Sequence, residues 1–156
     1  MQAFMVMFES VERGDRPPAG ALALLELWRQ YSLEKGRPTR SDFTPFVLKP
    51  WLGSIDIYDV EGGGATFRMR LNGTRVVAIT GEDWKGKTAH DVDRRYGGTL
   101  HEELARVYRS REPLAHHIRI FQKDYILAYR LLLPIFSDEQ PGAVAQIFLA
   151  VFNLDA

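Results

Sequence analysis

The chain has 156 residues, of which 46% are hydrophobic and 26% charged, as expected for one globular domain that needs no covalent cross-links. Twenty basic residues balance twenty acidic ones, so no long-range field would attract nucleic acid or an anionic membrane. The absence of cysteine excludes disulfides, thiolate chemistry and cysteine-ligated zinc or iron–sulfur centres. We therefore expect neither a nucleic acid nor a membrane as a partner.

The beginning of the chain admits more than one structure. Residues 1–16 can form a short helix or strand that docks on the domain or on a second copy, or they can be partly disordered. The apolar start lacks a basic segment and a small-residue cleavage site, and it is too short to cross a membrane. We expect a cytoplasmic protein in which residues 1–16 form an extension that docks or dimerises, followed by a single domain at 17–156.

A helix is predicted at the start of that domain. Leu24, Trp28 and Tyr31 recur at helical spacing and Gly36 supplies a stop, so the pattern predicts a helix from Ala19 to Lys35. One interpretation is that the apolar stripe of this helix packs on its own domain. The other is that the helix also forms a dimer contact.

A β-hairpin is predicted next, with strands at residues 55–60 and 66–71 joined by Gly62-Gly63-Gly64. Along the second strand apolar and charged residues alternate, which is typical of one buried and one exposed face. The apolar residues are Phe67, Met69 and Leu71, and the charged ones are Arg68 and Arg70. On the exposed face we expect Asp56 to pair with one of these arginines. Thr74 is predicted to cap the helix that follows.

The second half of the chain predicts helices and then three strands. Residues 74–95 are typical of short helical turns, and a longer helix is predicted at about 98–110. The strands are predicted at residues 114–121, 125–136 and 143–152. The last strand is apolar on both faces, which is typical of a central strand covered on both sides.

The first two of these strands are predicted to pair across a tight turn at residues 122–124. A turn of two or four residues sets His116 opposite Leu131 and Ile118 opposite Tyr129, all on one apolar face. Adjacent strand residues point to opposite faces, so His116 and the histidine after it cannot ligate one ion, and we expect no metal site. His116 is interpreted as a hydrogen-bonded core histidine, with contact to a ligand or a haem iron, or a place on the surface, as the alternatives.

The order of a helix, two strands, a helical middle and three strands predicts an α+β fold. Its sheet has five antiparallel strands, with helices on one face and an N-terminal helix. Five antiparallel strands interrupted once by helices form the PAS arrangement.

Several segments also resemble, in order, a proteobacterial PAS-domain family. That family has a Trp-containing leading helix, a Pro-x-Arg-x-Asp-x-x-Pro loop and a Phe-Arg-x-Arg-Leu-x-Gly-Thr strand. The corresponding segments here are residues 24–28, 38–45, 57–60 and 67–74, followed by Gly81 and Gly86-Lys87. The resemblance covers roughly residues 22–152.

The resemblance implies a sensory or interaction module that is usually dimeric and has no established catalytic residues. No kinase, cyclase or DNA-binding segment follows the PAS-like part, so we expect its output to pass through a homodimer or a separate effector protein. A small molecule is the other expected partner, and no cofactor is assigned.

We expect a ligand cavity between the sheet and the helical middle. Six residues are predicted to line it: Phe67, Met69, Trp84, His116, Ile118 and Tyr129. Structural packing is the alternative interpretation for the aromatic ones.

We therefore predict a sensory or regulatory module, not an enzyme, with no catalytic residue. One alternative is a small cone-shaped α+β enzyme of the isomerase or dehydratase type, which needs an acid or imidazole of shifted pKa in a buried pocket. The predicted inward faces offer only His116, with no acid placed beside it. The other alternative is a structural dimerisation module with a filled core and no ligand.

Overall fold

The structure, a computed structural model, describes residues 8–11, 17–120 and 126–154. Within them the chain forms six strands and five α-helices. In chain order these are β1 Phe8–Val11, α1 Ala19–Lys35, α2 Pro45–Leu48, β2 Ile55–Glu61, β3 Thr66–Leu71, α3 Thr74–Thr80, α4 Ala89–Tyr96, α5 Leu100–Ser110, β4 Leu114–Ile120, β5 Ile126–Phe136 and β6 Val144–Asn153. Short 3₁₀ turns occupy Arg40–Asp42, Lys49–Ser54 and Gly62–Gly64.

The strands form one antiparallel sheet in the order β1-β4-β5-β6-β2-β3. The predicted five-stranded antiparallel fold with an N-terminal helix is therefore confirmed, and β1 extends it by pairing Val11 with His117. β5 and β6 lie at the centre of the sheet, and most of their described residues are buried. This agrees with the prediction that the last strand is covered on both sides.

The outer edge of β3 is also occupied. Met69 donates its backbone N–H to the Lys87 carbonyl at 2.8 Å, and Gly86 donates to the Met69 carbonyl at 2.7 Å. Arg68 bridges to Thr88 in the same segment. The loop before α4 thus satisfies part of the backbone that an edge strand would otherwise expose.

Helices cover both faces of the sheet. α3, α4 and α5 lie on the face of Leu149. On the opposite face the ring of Phe43 packs against Phe148 at 5.5 Å and against Tyr31 of α1 at 5.2 Å. Trp28 of α1 is buried there and donates its indole N–H to the Pro134 carbonyl at 2.8 Å. α1 therefore packs on its own domain.

The segment after α1 is held by local hydrogen bonds. Thr39 and Asp42 form a reciprocal capping box, and Lys35 at the end of α1 pairs with Asp42 at 2.7 Å. Ser41 donates its hydroxyl to Asp138 at 2.6 Å, which ties this segment to the β5–β6 turn. The Pro-x-Arg-x-Asp-x-x-Pro loop thus has a structural role.

The register of β4 and β5 differs from the prediction by one residue. His116 pairs with Arg130 and Ile118 with Ala128, so the predicted partners Leu131 and Tyr129 are wrong. The prediction assumed an even number of turn residues, whereas five residues separate the paired ends of the two strands. Because side chains alternate along a strand, this shift moves Tyr129 to the face opposite Ile118. The predicted turn at 122–124 lies outside the described residues.

Two predictions around the first hairpin are also wrong. Asp56 does not pair with an exposed arginine, because it is buried on the sheet face that α3, α4 and α5 cover. Instead, Arg70 pairs with Asp59 and Arg68 with Glu61. Helix α3 begins at Thr74 itself, with Gly73 as its N-cap. The predicted alternation in β3 is confirmed: Phe67 and Met69 are buried, Leu71 is half-buried and both arginines are exposed.

Candidate ligand-binding site

A cavity lies between helices α3 to α5 and the sheet. It contains about 720 Å³ of empty space, including the part open to solvent at its mouth. Its apolar lining is Tyr58, Met69, Val76, Trp84, Val92, Tyr96, Leu100, Ile118, Leu149 and Val151. Its polar and small residues are Asp56, Asn72, Thr80, Asp93, Gly98, Thr99, Glu103 and Arg130. Apolar walls with a few placed polar groups are typical of small-molecule sites.

Three of the six residues predicted to contact a ligand line this cavity, namely Met69, Trp84 and Ile118. The other three lie outside its lining. Phe67 is fully buried against the rings of His101 and Tyr108. His116 is paired with Arg130 across the two strands and accepts its hydrogen bond, and Tyr129 contacts His117 on the opposite face of the sheet. Ligand contact by any of the six stays a prediction.

One polar end of the cavity is built around Asp56. Its Oδ1 accepts a hydrogen bond from Asn72 Nδ2 at 2.7 Å and another from the Gly73 backbone N–H at 2.8 Å. The carboxyl group is almost wholly buried, and this burial raises its pKa from 3.8 to about 7. The two hydrogen bonds act in the opposite direction but only partly offset the burial. Asp56 therefore changes its charge near neutral pH.

Asn72 connects Asp56 to the aromatic wall. Its Oδ1 accepts the backbone N–H of Trp84 at 2.9 Å, and the Trp84 indole N–H donates to the Tyr96 hydroxyl at 3.1 Å. That hydroxyl donates in turn to Glu82. Burial, followed by the bond to Glu82, raises the pKa of Tyr96 to about 12. Tyr96 therefore stays neutral and holds the Trp84 ring in place.

The other polar end is a buried arginine. Arg130 Nε donates to His116 Nε2 at 3.0 Å, and Arg130 Nη2 donates to Glu103 Oε1. Burial, with the nearby Arg130 as the next cause, lowers the pKa of His116 to about 3. His116 is therefore neutral and accepts through Nε2. Its 3.7 Å approach to Glu103 is a contact between a neutral ring and a carboxylate, so the ion pair of Glu103 is with Arg130.

A third acid, Asp93 of α4, closes the cavity near α5. It accepts the backbone N–H groups of Leu100 at 2.7 Å and of His101 at 2.9 Å. These are donors of the first turn of α5, which have no carbonyl partner within their own helix. Asp93 therefore matches its charge with the positive end of that helix.

Sequence reasoning missed the charged part of this site. The expectation that no acid lies beside His116 is wrong, because Glu103 contacts it. Arg130 carried a usable signal, since it is a lone charge within the apolar strand 126–136. Asp56 lies between two isoleucines and carried the same signal. A charge within a buried strand is uncommon and usually has a partner.

The chain belongs to the PAS domain family, which its sequence matches over residues 17–151. No curated protein matches it. The predicted PAS fold is confirmed. None of the described helices has the length and apolar character that a membrane crossing requires.

Solved structures of the same fold are distant in sequence. An RNA-binding light-oxygen-voltage receptor matches with a TM-score of 0.51 and 15% identity, over 94% of this chain and 38% of the receptor chain. A fungal light-oxygen-voltage photoreceptor matches with a TM-score of 0.48 and 14% identity, over 65% of this chain and 74% of the photoreceptor chain. A light-oxygen-voltage domain studied with a flavin analogue matches with a TM-score of 0.49 and 12% identity, over 71% of this chain and 85% of that domain. This chain thus spans less than half of the first receptor chain.

Proposed function

We propose that this PAS domain is a sensory or regulatory module that binds a small molecule in the cavity under α3 to α5. The observation that carries the proposal is the cavity itself, which has apolar walls, a few placed polar groups and a mouth open to solvent. Its polar groups are held by the bonds from Asn72 to Asp56 and from Arg130 to Glu103. Such a pre-organised site lowers the entropy lost when a ligand binds.

The signal is proposed to pass to a second copy or a separate effector protein. A ligand can shift the packing of the domain only by binding one arrangement more tightly than another. The cavity and α1 lie on opposite faces of β5 and β6, so a change in the sheet reaches both. We propose that α1, together with residues 1–16, forms the contact through which the module responds.

Filling the cavity tests the ligand proposal. Val76 and Val77 are neighbours on α3, but only Val76 lines the cavity. We expect Val76→Phe to remove the stabilisation that a bound molecule provides, because the larger ring occupies its space. Val77→Phe is the matched control and should keep it. Two measurements show the effect. Native mass spectrometry detects a molecule bound to protein purified without added ligand, and thermal melting compares that protein with protein that was unfolded in denaturant, freed of small molecules by dialysis and refolded.

The same experiment separates the sensor from a structural dimerisation module. A module with no ligand would show no co-purified mass, and no metabolite would raise its melting temperature. Under that outcome the Val76→Phe variant would behave like Val77→Phe apart from the cost of overpacking, which is about 1–3 kcal/mol. That result would count against the sensory proposal.

Asp56 favours a second candidate, an enzyme of the isomerase or dehydratase type. It is a buried acid at the cavity with a pKa of about 7, which such a proton transfer requires. An enzyme would convert the molecule it binds, whereas a sensor would return it unchanged. Incubating the co-purified molecule with fresh protein, and with Asp56→Asn, distinguishes the two by mass and retention time.

A further inference from the structure

The charges that line the cavity do not balance. Its lining contains three carboxyl side chains, those of Asp56, Asp93 and Glu103, and the guanidinium of Arg130. The positive charge of Arg130 is already paired, because this buried side chain binds Glu103 and His116. Asp93 is matched by backbone N–H groups at the start of α5. Asp93 uses both of its carboxylate oxygens in this way, whereas Asp56 uses only one.

Asp56 has hydrogen bonds but forms no ion pair among the described residues. Both of its donors, Asn72 Nδ2 and the Gly73 N–H, bind the same oxygen, Oδ1. Over the described residues, no donor reaches Oδ2 and no Lys, Arg or His forms an ion pair with this carboxylate. Burial without a counter-charge disfavours the ionised form of a carboxyl group. A ligand can supply that charge.

The geometry points to a small organic cation as the ligand, with its ammonium group bound to Oδ2 of Asp56. This inference deepens the proposed function and rests on it, since it assigns the chemical class of the molecule held in the same cavity. An anion would meet three carboxyl groups with one guanidinium already paired. A cation completes the pairing that the chain itself leaves open.

The walls next to Asp56 suit the rest of such a molecule. Asn72 binds both Asp56 and the backbone of Trp84, and the Trp84 side chain lines the same cavity as the acid. Trp84 is fixed edge-on to Tyr96 at 5.8 Å, and Tyr58 lies two residues along β2 on the same face as Asp56. Aromatic faces attract cations, and the ring and aliphatic walls accept an apolar substituent. We infer an amine with a short hydrophobic or aromatic group.

This assignment predicts a pH dependence. The charged groups facing Asp56 are Arg130 of β5, which lowers its pKa, and Asp83 of the α3–α4 loop, which raises it. Asp93 and Glu103 line the same cavity, and His116 stays neutral over the range tested. With a pKa of about 7 for Asp56, affinity for an amine should fall about tenfold from pH 8 to pH 6. The amine remains protonated throughout, since its pKa is about 10.

The test uses propylamine, benzylamine and 2-phenylethylamine, each compared with the alcohol and the carboxylate of matched size. Calorimetric titration of the full chain at pH 6 and pH 8 measures binding. We expect an amine to bind at least about tenfold more tightly than its counterparts. Asp56→Asn, which keeps the Oδ1 acceptor, should lose that preference. Asp59→Asn, on the other face of the same strand, should change affinity by less than about twofold.

Three results would overturn the assignment. These are equal or tighter binding of the alcohols or carboxylates, no binding of any amine, or an amine affinity that neither pH nor Asp56→Asn changes. If an alcohol or carboxylate binds and Val76→Phe blocks that binding, the assignment of a cationic ligand is wrong but the sensory proposal still holds. Failure of all probes together with no co-purified molecule would count against both. The pH dependence of the wild-type protein decides the matter even if Asp56→Asn does not fold.

Discussion

Asp56 lies where strand β2, the start of α3 and the cavity meet. Its Oδ1 accepts hydrogen bonds from Gly73, the N-cap of α3, and from Asn72. The side-chain oxygen of Asn72, in turn, accepts the backbone N–H of Trp84. One side chain therefore fixes the entry of a helix and the position of an aromatic wall. It does so at an energetic cost, because burial disfavours its ionised form.

That cost makes stability depend on pH. The folded-state pKa of Asp56 is about 7 against 3.8 for a free carboxyl group, so the folded chain holds this proton more tightly than the unfolded chain does. The free energy of unfolding therefore falls as pH rises between about 4 and 7, by at most on the order of 4 kcal/mol. Asp56→Asn does not titrate, so its stability relative to wild type should increase from pH 5 to pH 8.

Urea unfolding at pH 5, 6, 7 and 8 checks this difference. Asp59→Asn is the matched control, because Asp59 lies on the same strand, pairs with Arg70 and is more exposed. Its effect should stay within about 1 kcal/mol at each pH. If the curves of Asp56→Asn and wild type run parallel, the carboxyl of Asp56 does not titrate as described.

At the scale of elements, α3 depends on a close backbone contact. A Cβ on Gly73 would lie 2.6 Å from the Gly53 carbonyl oxygen and 2.8 Å from that of Ile55. These are backbone atoms that cannot move aside without shifting the start of β2 and the 3₁₀ turn before it. The contact explains why the helix begins after a glycine and not after the predicted cap at Thr74.

Gly73→Ala should therefore destabilise the protein by about 1–3 kcal/mol, the range typical of overpacking. Gly98→Ala is the control, because its added Cβ would meet only Asp93 Oδ1, at 3.6 Å. We expect that change to be within about 1 kcal/mol of wild type. Thermal and urea unfolding measure both variants. Equal stabilities would show that the strand and helix can separate at little cost.

At the scale of the whole molecule, α1 has a buried and an exposed side. Leu22 and Leu33 are both exposed, and eleven residues of helix, close to three full turns, bring them to the same side. Leu33 is 88% exposed, which is unusual for a leucine in a folded domain. These two residues are the part of α1 that we propose to contact a second copy.

The dimer proposal is tested by charge. Leu22→Glu combined with Leu33→Glu should weaken self-association by tenfold or more, since a buried charge without a partner costs about 1.4 kcal/mol or more. Phe46→Glu is the control, because Phe46 is 86% exposed on α2. Sedimentation equilibrium over a range of concentrations gives the dissociation constants. An unchanged constant for the double variant would place the dimer contact elsewhere.

The sequence predicted the secondary-structure elements better than the contacts between them. Alternation in β3 identified Phe67 and Met69 as buried, because side-chain period depends on local geometry alone. The β4–β5 register depends on the number of turn residues, which the apolar pattern leaves open, so Tyr129 was placed on the wrong face. The Glu103–Arg130 pair joins a helix and a strand, and periodicity within one element carries no record of such a contact.

The bonds of Met69 to Gly86 and Lys87 have a consequence for how copies of this protein meet. An uncovered edge strand recruits a strand from another molecule, and a sheet can then continue from chain to chain. Here the loop at residues 86–87 already binds the backbone N–H and carbonyl of Met69, which an added strand would need. The exposed side chains next to Met69, Arg68 and Arg70, are charged and form ion pairs. Addition of a strand at this edge of the sheet would therefore have to displace the loop from Met69, which disfavours self-assembly through β3.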